Sequence, residues 1–147
     1  MGITYAEIEL INGIDLGLAR RGDLAKEQVR QLTVSAMADS GALMLLLPQS
    51  VCTQLGLDIL GEADAELADG SVVRFNIAGP VEVRFQNRRT TVEALVVPNE
   101  TDVPLGAIPM EGMDLLIAPQ QQKLVLNPKS PGKARVMLKG RRQLCSF

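Results

Sequence analysis

The sequence predicts an all-β, barrel-like domain that carries one or two short helices. Short segments alternate between apolar and polar positions, which is the pattern of strands with one buried face. Turn-forming residues separate these segments at regular spacing, and Asp69-Gly70 is a strong signal for a tight hairpin. A length of 147 residues suits one such domain and allows it a buried core.

The first part of the chain predicts two strands and an intervening loop. Residues 4–10 alternate cleanly, and the turn formers Asn12-Gly13 end this strand. Residues 14–28 are mixed and polar, so we expect a loop there, with a short helical turn after Asp23 as an option. Alternation returns over residues 29–38, which form the second predicted strand.

A buried strand and a short surface helix are predicted next. Residues 42–47 are continuously apolar, as expected for a strand that is covered on both sides. Pro48 favours the first position of a helix and Gly56 is typical of a helix end. Residues 48–55 are therefore predicted to be helical.

The second half of the chain predicts a series of hairpins. Its expected strands are short, alternate in character and are joined by turns. Residues 98–107 are expected to form a loop, and residues 110–117 a short helix. The predicted strands cover residues 63–68, 71–78, 81–85, 91–97 and 123–126.

Composition excludes several catalytic systems. The chain contains no histidine, so a Ser-His-Asp or Cys-His nucleophile and a histidine-ligated metal centre are excluded. Cys52 and Cys145 lie far apart without metal-ligand spacing, which indicates two reduced thiols. We therefore expect no metal and no cofactor, and carboxylates remain the natural acid and base for hydrolytic chemistry.

Targeting signals are not evident in the sequence. The start of the chain lacks the pattern of a signal peptide, and no apolar run is long enough to span a bilayer. Together with the reduced thiols, these features predict a cytoplasmic protein without membrane association.

Charge is distributed unevenly along the chain. Every acidic side chain lies within residues 1–117, whereas residues 118–147 are basic. Such a segment either binds nucleic acid or another anionic surface, or lies along the acidic body or in solvent. No aromatic platform or nucleic-acid motif accompanies it, so the second interpretation is favoured and no nucleic-acid partner is expected. The basic residues are Lys123, Lys129, Lys133, Arg135, Lys139, Arg141 and Arg142.

One acidic residue lies in a turn between two apolar segments. Asp39 follows the predicted strand over residues 29–38 and precedes the apolar run 42–47, with Ser40 and Gly41 completing the turn. Asp, Ser and Gly are common turn formers, so this tripeptide alone is typical of an ordinary loop. Its position within the expected core is unusual, because a buried carboxylate costs free energy unless it is paired.

Several segments together resemble the retropepsin-like aspartic proteases, in particular the small bacterial single-domain members of that family. The resemblance covers roughly residues 3–130 and implies an acid-protease fold, a closed barrel over residues 1–128 followed by a basic tail over residues 129–147. The segments that carry it are Asp39-Ser40-Gly41-Ala42, which resembles the family's Asp-Thr/Ser-Gly-Ala, the helix end Gln54-Leu55-Gly56-Leu57, the flap region Leu67-Ala68-Asp69-Gly70-Ser71, the second motif Leu105–Leu116 and the closing strand Lys123–Pro128.

The resemblance implies a homodimeric aspartic endopeptidase. The chain carries one Asp-Ser-Gly triplet, whereas the mechanism needs two carboxylates on one water, so each subunit would contribute one Asp39. Two close carboxylates share a proton, which makes one of them a base toward water and the other a donor to the scissile carbonyl. Ser40 would hold the two loops in register, and Gly41 would permit the turn and bring its N–H to the carboxylate.

The resemblance also implies a polypeptide substrate. Ala42 and the hairpin residues Ala68, Asp69 and Gly70 are implied to contact an extended peptide, which the hairpin would cover as an added strand. An ordinary hairpin tip remains the alternative interpretation of Asp69-Gly70.

A second interpretation is a non-catalytic barrel that dimerises and holds a peptide without cutting it. Two features favour it. Pro104 in the second motif lacks a backbone donor, and the long segment before Val29 would be able to cover the cleft. Under this interpretation, Asp39 is a capping or turn residue of the barrel.

Overall fold

Strands dominate the fold. The computed structural model describes residues 3–98, 102–118 and 120–136, and no helix within these ranges is long and apolar enough to cross a membrane. The helices are α1 (Gly13–Arg20), α2 (Gln49–Leu55) and α3 (Ala107–Gly112), with a 3-10 helix at Lys26–Gln28. The strands are β1 (Thr4–Asn12), β2 (Gln31–Ala38), β3 (Leu45–Pro48), β4 (Asp58–Glu66), β5 (Val72–Phe85), β6 (Arg88–Val97), β7 (Val103–Leu105), β8 (Leu115–Ala118) and β9 (Lys123–Leu126).

Six strands close into a barrel, which confirms the predicted fold class. They follow the order β1-β2-β7-β3-β6-β5, and β5 returns to pair with β1. β4 extends the sheet outward from β5, while β8 and β9 form a separate two-stranded sheet. Closure pairs each barrel strand on both sides, so the exposed edge of this sheet, within the described residues, is β4.

Alternation along the strands fills the barrel with aliphatic side chains. Ile8 and Leu10 of β1 are fully buried, and they share one core with Val81 and Val83 of β5. Glu9, between Ile8 and Leu10, is more exposed than either neighbour, as the period of two in the sequence predicts. Glu82, between Val81 and Val83, is instead buried and pairs with Arg84 at 2.6 Å. Burial of each such aliphatic side chain stabilises the fold by about 1.5–3 kcal/mol relative to exposure.

Cys52 is a free thiol buried in the same core. Burial raises the pKa of this thiol, so it stays protonated and unreactive at neutral pH. Cys145 lies outside the described residues. Among the residues that the structure does describe, no group of three or more Cys, Asp or Glu side chains is arranged to hold a metal ion.

The prediction of a loop over residues 14–28 is wrong for the first half of this segment, because α1 occupies Gly13–Arg20. The Asn12 side chain accepts hydrogen bonds from two backbone N–H groups of the first turn, both at 3.0 Å, and so caps the helix. The carboxylate of Asp15 then pairs with the guanidinium of Arg30 at 2.8 Å. This cap and this ion pair offset the low helix propensity of the glycines within α1.

The second half forms fewer and longer strands than the sequence predicts. β5 runs unbroken over Val72–Phe85, and a bulge at Gly79-Pro80 takes the place of the predicted turn. A bulge bends a strand without ending its pairing, so one strand serves both the hairpin and the barrel. The last predicted strand, Lys123–Leu126, is confirmed as β9.

The described segment from residue 103 to residue 118 departs furthest from prediction. Val103–Leu105 form β7 where the sequence predicts a loop, and Ala107–Gly112 form α3. Leu115–Ala118 form β8, although most of this segment is predicted to be helical. A strand of three residues carries too little alternation to be recognised, and its partners lie far away in the sequence.

Asp114 anchors the start of the basic segment. Its carboxylate accepts hydrogen bonds from the side chains of Asn127 and Ser130 and from the backbone N–H of Arg135. The pKa of Asp114 is lowered from 3.8 to about 2. The hydrogen bond from Ser130 contributes most to this shift, and the hydrogen bond from Asn127 contributes next. These bonds hold residues 129–135 against the connection between α3 and β8.

The described part of the predicted basic tail is residues 129–136. The buried guanidinium of Arg88, at the start of β6, donates to the carbonyl of Ser130 and adds to this anchoring. Residues 137–147 lie outside the described residues, so the boundary predicted after residue 128 stays a prediction.

Replacement of Asp114 by asparagine is expected to remove an acid-sensitive part of the stability. Because the folded pKa of about 2 lies below the usual 3.8, the unfolded state takes up the proton first as the pH falls. The contribution is therefore complete above about pH 4 and is lost as the pH falls toward 2. Melting temperatures measured from neutral pH to pH 2 should show the largest gap between wild type and variant near neutrality. A gap that stays constant with pH would contradict the role of Asp114, and Asp23→Asn, an exposed change elsewhere, is the control for the substitution itself.

Candidate active site

Asp39 begins a loop that crosses the end of β7, a strand that lies between two other strands. β7 lies between β2 and β3, parallel to the first and antiparallel to the second, with Leu45 opposite Leu105. Residues 39–44, the Asp39 loop, connect β2 to β3 and therefore pass over β7. The backbone N–H of Asp39 donates to the carbonyl of Leu105 at 3.0 Å, so strand pairing continues into the first residue of the loop.

The carboxylate of Asp39 is held by its own turn. The backbone N–H of Gly41 donates to Oδ1 at 2.9 Å, and the N–H of Ala42 donates to the Asp39 carbonyl at 3.1 Å. Oδ2 accepts no hydrogen bond from the described residues. Asp39 is half-buried and Ser40 is exposed, so the expectation of a deeply buried carboxylate is wrong. The reason is that the loop crosses the end of a strand and not the interior of the barrel.

Gly106 supports the loop from below. The N–H of Ala107 donates to the carbonyl of Ala42 at 2.8 Å, and the N–H of Ile108 donates to that of Leu43 at 2.9 Å. A Cβ on Gly106 would lie 2.3 Å from the carbonyl oxygen of Met44, closer than any side-chain atom can approach. The absence of a side chain therefore allows the start of α3 to hydrogen-bond directly to the loop.

Apolar surface surrounds the Asp39 loop. Leu43 is 65% exposed and Ile108 is 47% exposed, although both are aliphatic. A cavity of about 320 Å³ opens beside Ser40, lined mainly by apolar side chains. Exposed aliphatic groups grouped in this way are typical of a surface that contacts another polypeptide. The other lining residues are Ala107, Met110, Glu111, Leu115, Leu116 and Ile117.

The predicted substrate-binding residues Ala68, Asp69 and Gly70 lie at the exposed tip of the β4–β5 hairpin. The connection spans residues 67–71 and not two residues, because Asp69 organises a longer turn. Its Oδ1 accepts hydrogen bonds from the Ser71 N–H at 2.9 Å and the Ser71 hydroxyl at 2.5 Å, and the hydroxyl bond lowers the pKa of Asp69. In the described part of the chain, no hydrogen bond joins this tip to the Asp39 loop.

A second cavity lies between the hairpin and the barrel. It has a volume of about 400 Å³, and its lining includes Val73 and Phe75 of β5 and Val96 at the end of β6. β6 runs parallel to β3, which starts directly after the Asp39 loop. The cavity therefore lies about 10 Å along these strands from the loop.

Pro104 does not interrupt the sheet. It lies in β7 opposite Met37, and β7 still pairs with strands on both sides. The missing donor of Pro104 thus leaves the position of the Asp39 loop unchanged, because the loop is held by the carbonyl of Leu105.

The segment that precedes Val29 lies at the far end of the barrel from the Asp39 loop. It follows Asn12 at one end of β1, whereas Thr4 at the other end pairs with Ala38, the residue before Asp39. Eight residues of strand span about 26 Å. The segment therefore does not cover the loop, and its position does not favour a non-catalytic barrel.

Sequence reasoning missed the contacts that fix the Asp39 loop. The second motif identifies Leu105 and Gly106 as important, but no local pattern reveals that they lie beneath residues 39–44. The backbone groups of Ala107 and Ile108 that complete the support carry no sequence signal, because any residue other than proline offers the same N–H.

A closed barrel with an Asp-Ser-Gly loop crossing a threaded strand defines a protein of the aspartic-protease class. A family model described as aspartyl protease matches residues 25–126, which include the Asp39 loop, the hairpin and β7 to β9. No curated protein matches the chain. Because the family match spans more than half of its length, the chain belongs to the retropepsin-like aspartyl protease family.

Proposed function

We propose that the protein is an aspartic endopeptidase that acts as a homodimer on extended polypeptides. The observation that carries the proposal is the Asp39 carboxylate, which a backbone N–H holds at the barrel surface through Oδ1 alone. A carboxylate fixed in this way, with one oxygen free of protein partners in the described residues, is suited to bind and activate a water. Membership of the aspartyl protease family supports the same function.

Two carboxylates are needed for the reaction, and the second is proposed to be Asp39 of the partner subunit. Repulsion between two close negative charges favours a state in which they share one proton. The ionised carboxylate accepts a proton from the water as the water oxygen bonds to the peptide carbonyl carbon. The protonated carboxylate donates its proton to the carbonyl oxygen. Collapse of the tetrahedral intermediate, with proton transfer to the leaving nitrogen, completes the hydrolysis.

The surface around the loop supports dimerisation. Leu43 and Ile108 expose aliphatic surface on both sides of the hydrogen bond that joins their backbones. A second copy would cover this surface and would bring the two loops together across a two-fold axis. Ser40, which is exposed next to Asp39, is proposed to hydrogen-bond across that axis, while Gly41 keeps its N–H on the carboxylate.

The substrate is proposed to lie between the Asp39 loop and the β4–β5 hairpin. Ala42 would contact the peptide from the loop side, and Ala68, Asp69 and Gly70 from the hairpin tip. The cavity of about 400 Å³ beside Val73 and its neighbours is large enough to accept a substrate side chain. The proposal includes a cytoplasmic location and needs neither a cofactor nor a nucleic-acid partner.

Activity is expected to depend on protein concentration. If the active site needs Asp39 from two subunits, dilution should lower the activity per subunit in step with the loss of dimer. Cleavage of a peptide library, measured against dilution and from acidic to neutral pH, and compared with sedimentation of the same samples, tests this. Constant activity per subunit in samples that sediment as monomers would contradict the proposal.

A further inference from the structure

We propose that the free edge of β4 recruits substrates that carry basic side chains at alternate positions. This inference rests on the proposed peptidase function, since it names the class of polypeptide that the same site takes. β4 is the outermost strand of the seven-stranded sheet and, among the residues that the structure describes, pairs on one side only, with β5. Half of its backbone N–H and C=O groups therefore point away from the sheet and can accept another strand.

The face of β4 beside this edge is acidic. Glu62, Asp64 and Glu66 alternate along the strand, so their side chains share one face, and all three are exposed. A neighbouring base, Arg74 on β5, pairs with Asp64 at 3.3 Å. Within the described residues, one basic side chain against three acidic ones leaves this face with an excess of negative charge.

The opposite face of the same strand is small and apolar. Ala63 and Ala65 alternate with the acidic residues and are half-buried, opposite Phe75 and Val73 of β5. A peptide added to β4 would alternate in the same way, with one set of side chains beside the acidic face and the other beside the alanines. The best partner is therefore an extended chain with lysine or arginine at every second position and apolar residues between them.

Edge charges also have a simpler role, because like charges on an exposed edge prevent two copies from pairing through it. The two roles differ in a measurable way. Protection requires only charge, whereas recruitment requires that a bound peptide match the spacing of Glu62, Asp64 and Glu66. The alternation of charge with small residues over β4 is what favours recruitment.

Binding of synthetic peptides to the full chain carrying Asp39→Asn, which removes the proposed cleavage, tests the inference. Three labelled peptides of equal length are compared by fluorescence anisotropy: one with lysines at alternate positions, one with the same lysines in a row, and one with glutamates in their place. The alternating peptide should bind tightest, and binding should weaken with added salt. Glu62→Gln, Asp64→Asn and Glu66→Gln together should weaken it by about tenfold, as expected for the loss of three cross-strand charge pairs.

A matched control removes three exposed acidic side chains elsewhere, through Glu7→Gln, Asp23→Asn and Glu27→Gln. Equal weakening by the two triple variants, equal binding of the alternating and clustered peptides, or no binding of either peptide would overturn the inference. Cleavage by the wild-type chain without preference for the alternating peptide would refute recruitment alone. Binding with the expected pattern but without cleavage by the wild-type dimer would refute the peptidase function alone.

Discussion

Replacement of Asp39 by asparagine is expected to lower kcat/KM for peptide cleavage by at least about 10³-fold. Asparagine has nearly the same shape and can still accept the hydrogen bond from the Gly41 N–H, so the loop should keep its conformation. It cannot, however, take a proton from the attacking water. The loss should therefore appear in kcat, while the melting temperature and the sedimentation of the dimer stay close to those of the wild type.

Mixing the two proteins adds a second readout. If each site contains one Asp39 from each subunit, Asp39→Asn chains added to a fixed amount of wild type should form inactive mixed dimers and lower the observed activity. A site within one chain would instead leave that activity unchanged. Asp23→Asn, an exposed change far from the loop, serves as the control for both measurements. Cleavage that survives in Asp39→Asn would show that another group activates the water.

Replacement of Gly106 by alanine is expected to destabilise the protein by about 3 kcal/mol, which corresponds to roughly 10 °C in melting temperature. The new Cβ would lie 2.3 Å from the carbonyl oxygen of Met44 and 2.7 Å from the carbonyl carbon of Leu43. Both are backbone atoms, so neither can rotate away as a flexible side chain would. The Asp39 loop must therefore move off β7, and the proposed activity should fall together with stability.

Gly17→Ala is the matched control for this substitution. Gly17 lies within α1, and a Cβ there would meet no other atom within 4 Å. Alanine should stabilise this helix by about 0.5–1 kcal/mol, because it restricts the unfolded chain and improves helix propensity. A Gly106→Ala variant that melts at the wild-type temperature, measured beside this control, would show that the loop has more room than the structure indicates.

The sequence predicts the fold where structure depends on local alternation. β1 and β2 are recognisable because apolar and polar residues alternate along most of their length. α1 was missed because its stability depends on the Asn12 cap and on the contact between Asp15 and Arg30, two residues that lie far apart in the chain. β7 was missed because three residues, one of them proline, carry no recognisable period.

The candidate site is also predictable from the sequence only in part. Asp39, Ser40 and Gly41 are identifiable because a polar turn between two apolar strands is visible along the chain. The exposure of Asp39 and its support by Leu105 and Gly106 cannot be identified along the chain, because both depend on the position of β7 between β2 and β3. The roles of these residues in catalysis stay predictions until they are measured.

The position of β7 between β2 and β3 also affects when the chain can complete its fold during synthesis. Met37 and Pro104, which lie opposite each other, are separated by about 67 residues, a long loop to close. A chain that has been translated only to the end of β6 contains Asp39 but lacks both the carbonyl that binds its amide and the glycine beneath its loop. The segment that would carry out hydrolysis is therefore left unfinished until nearly three quarters of the polypeptide has emerged from the ribosome.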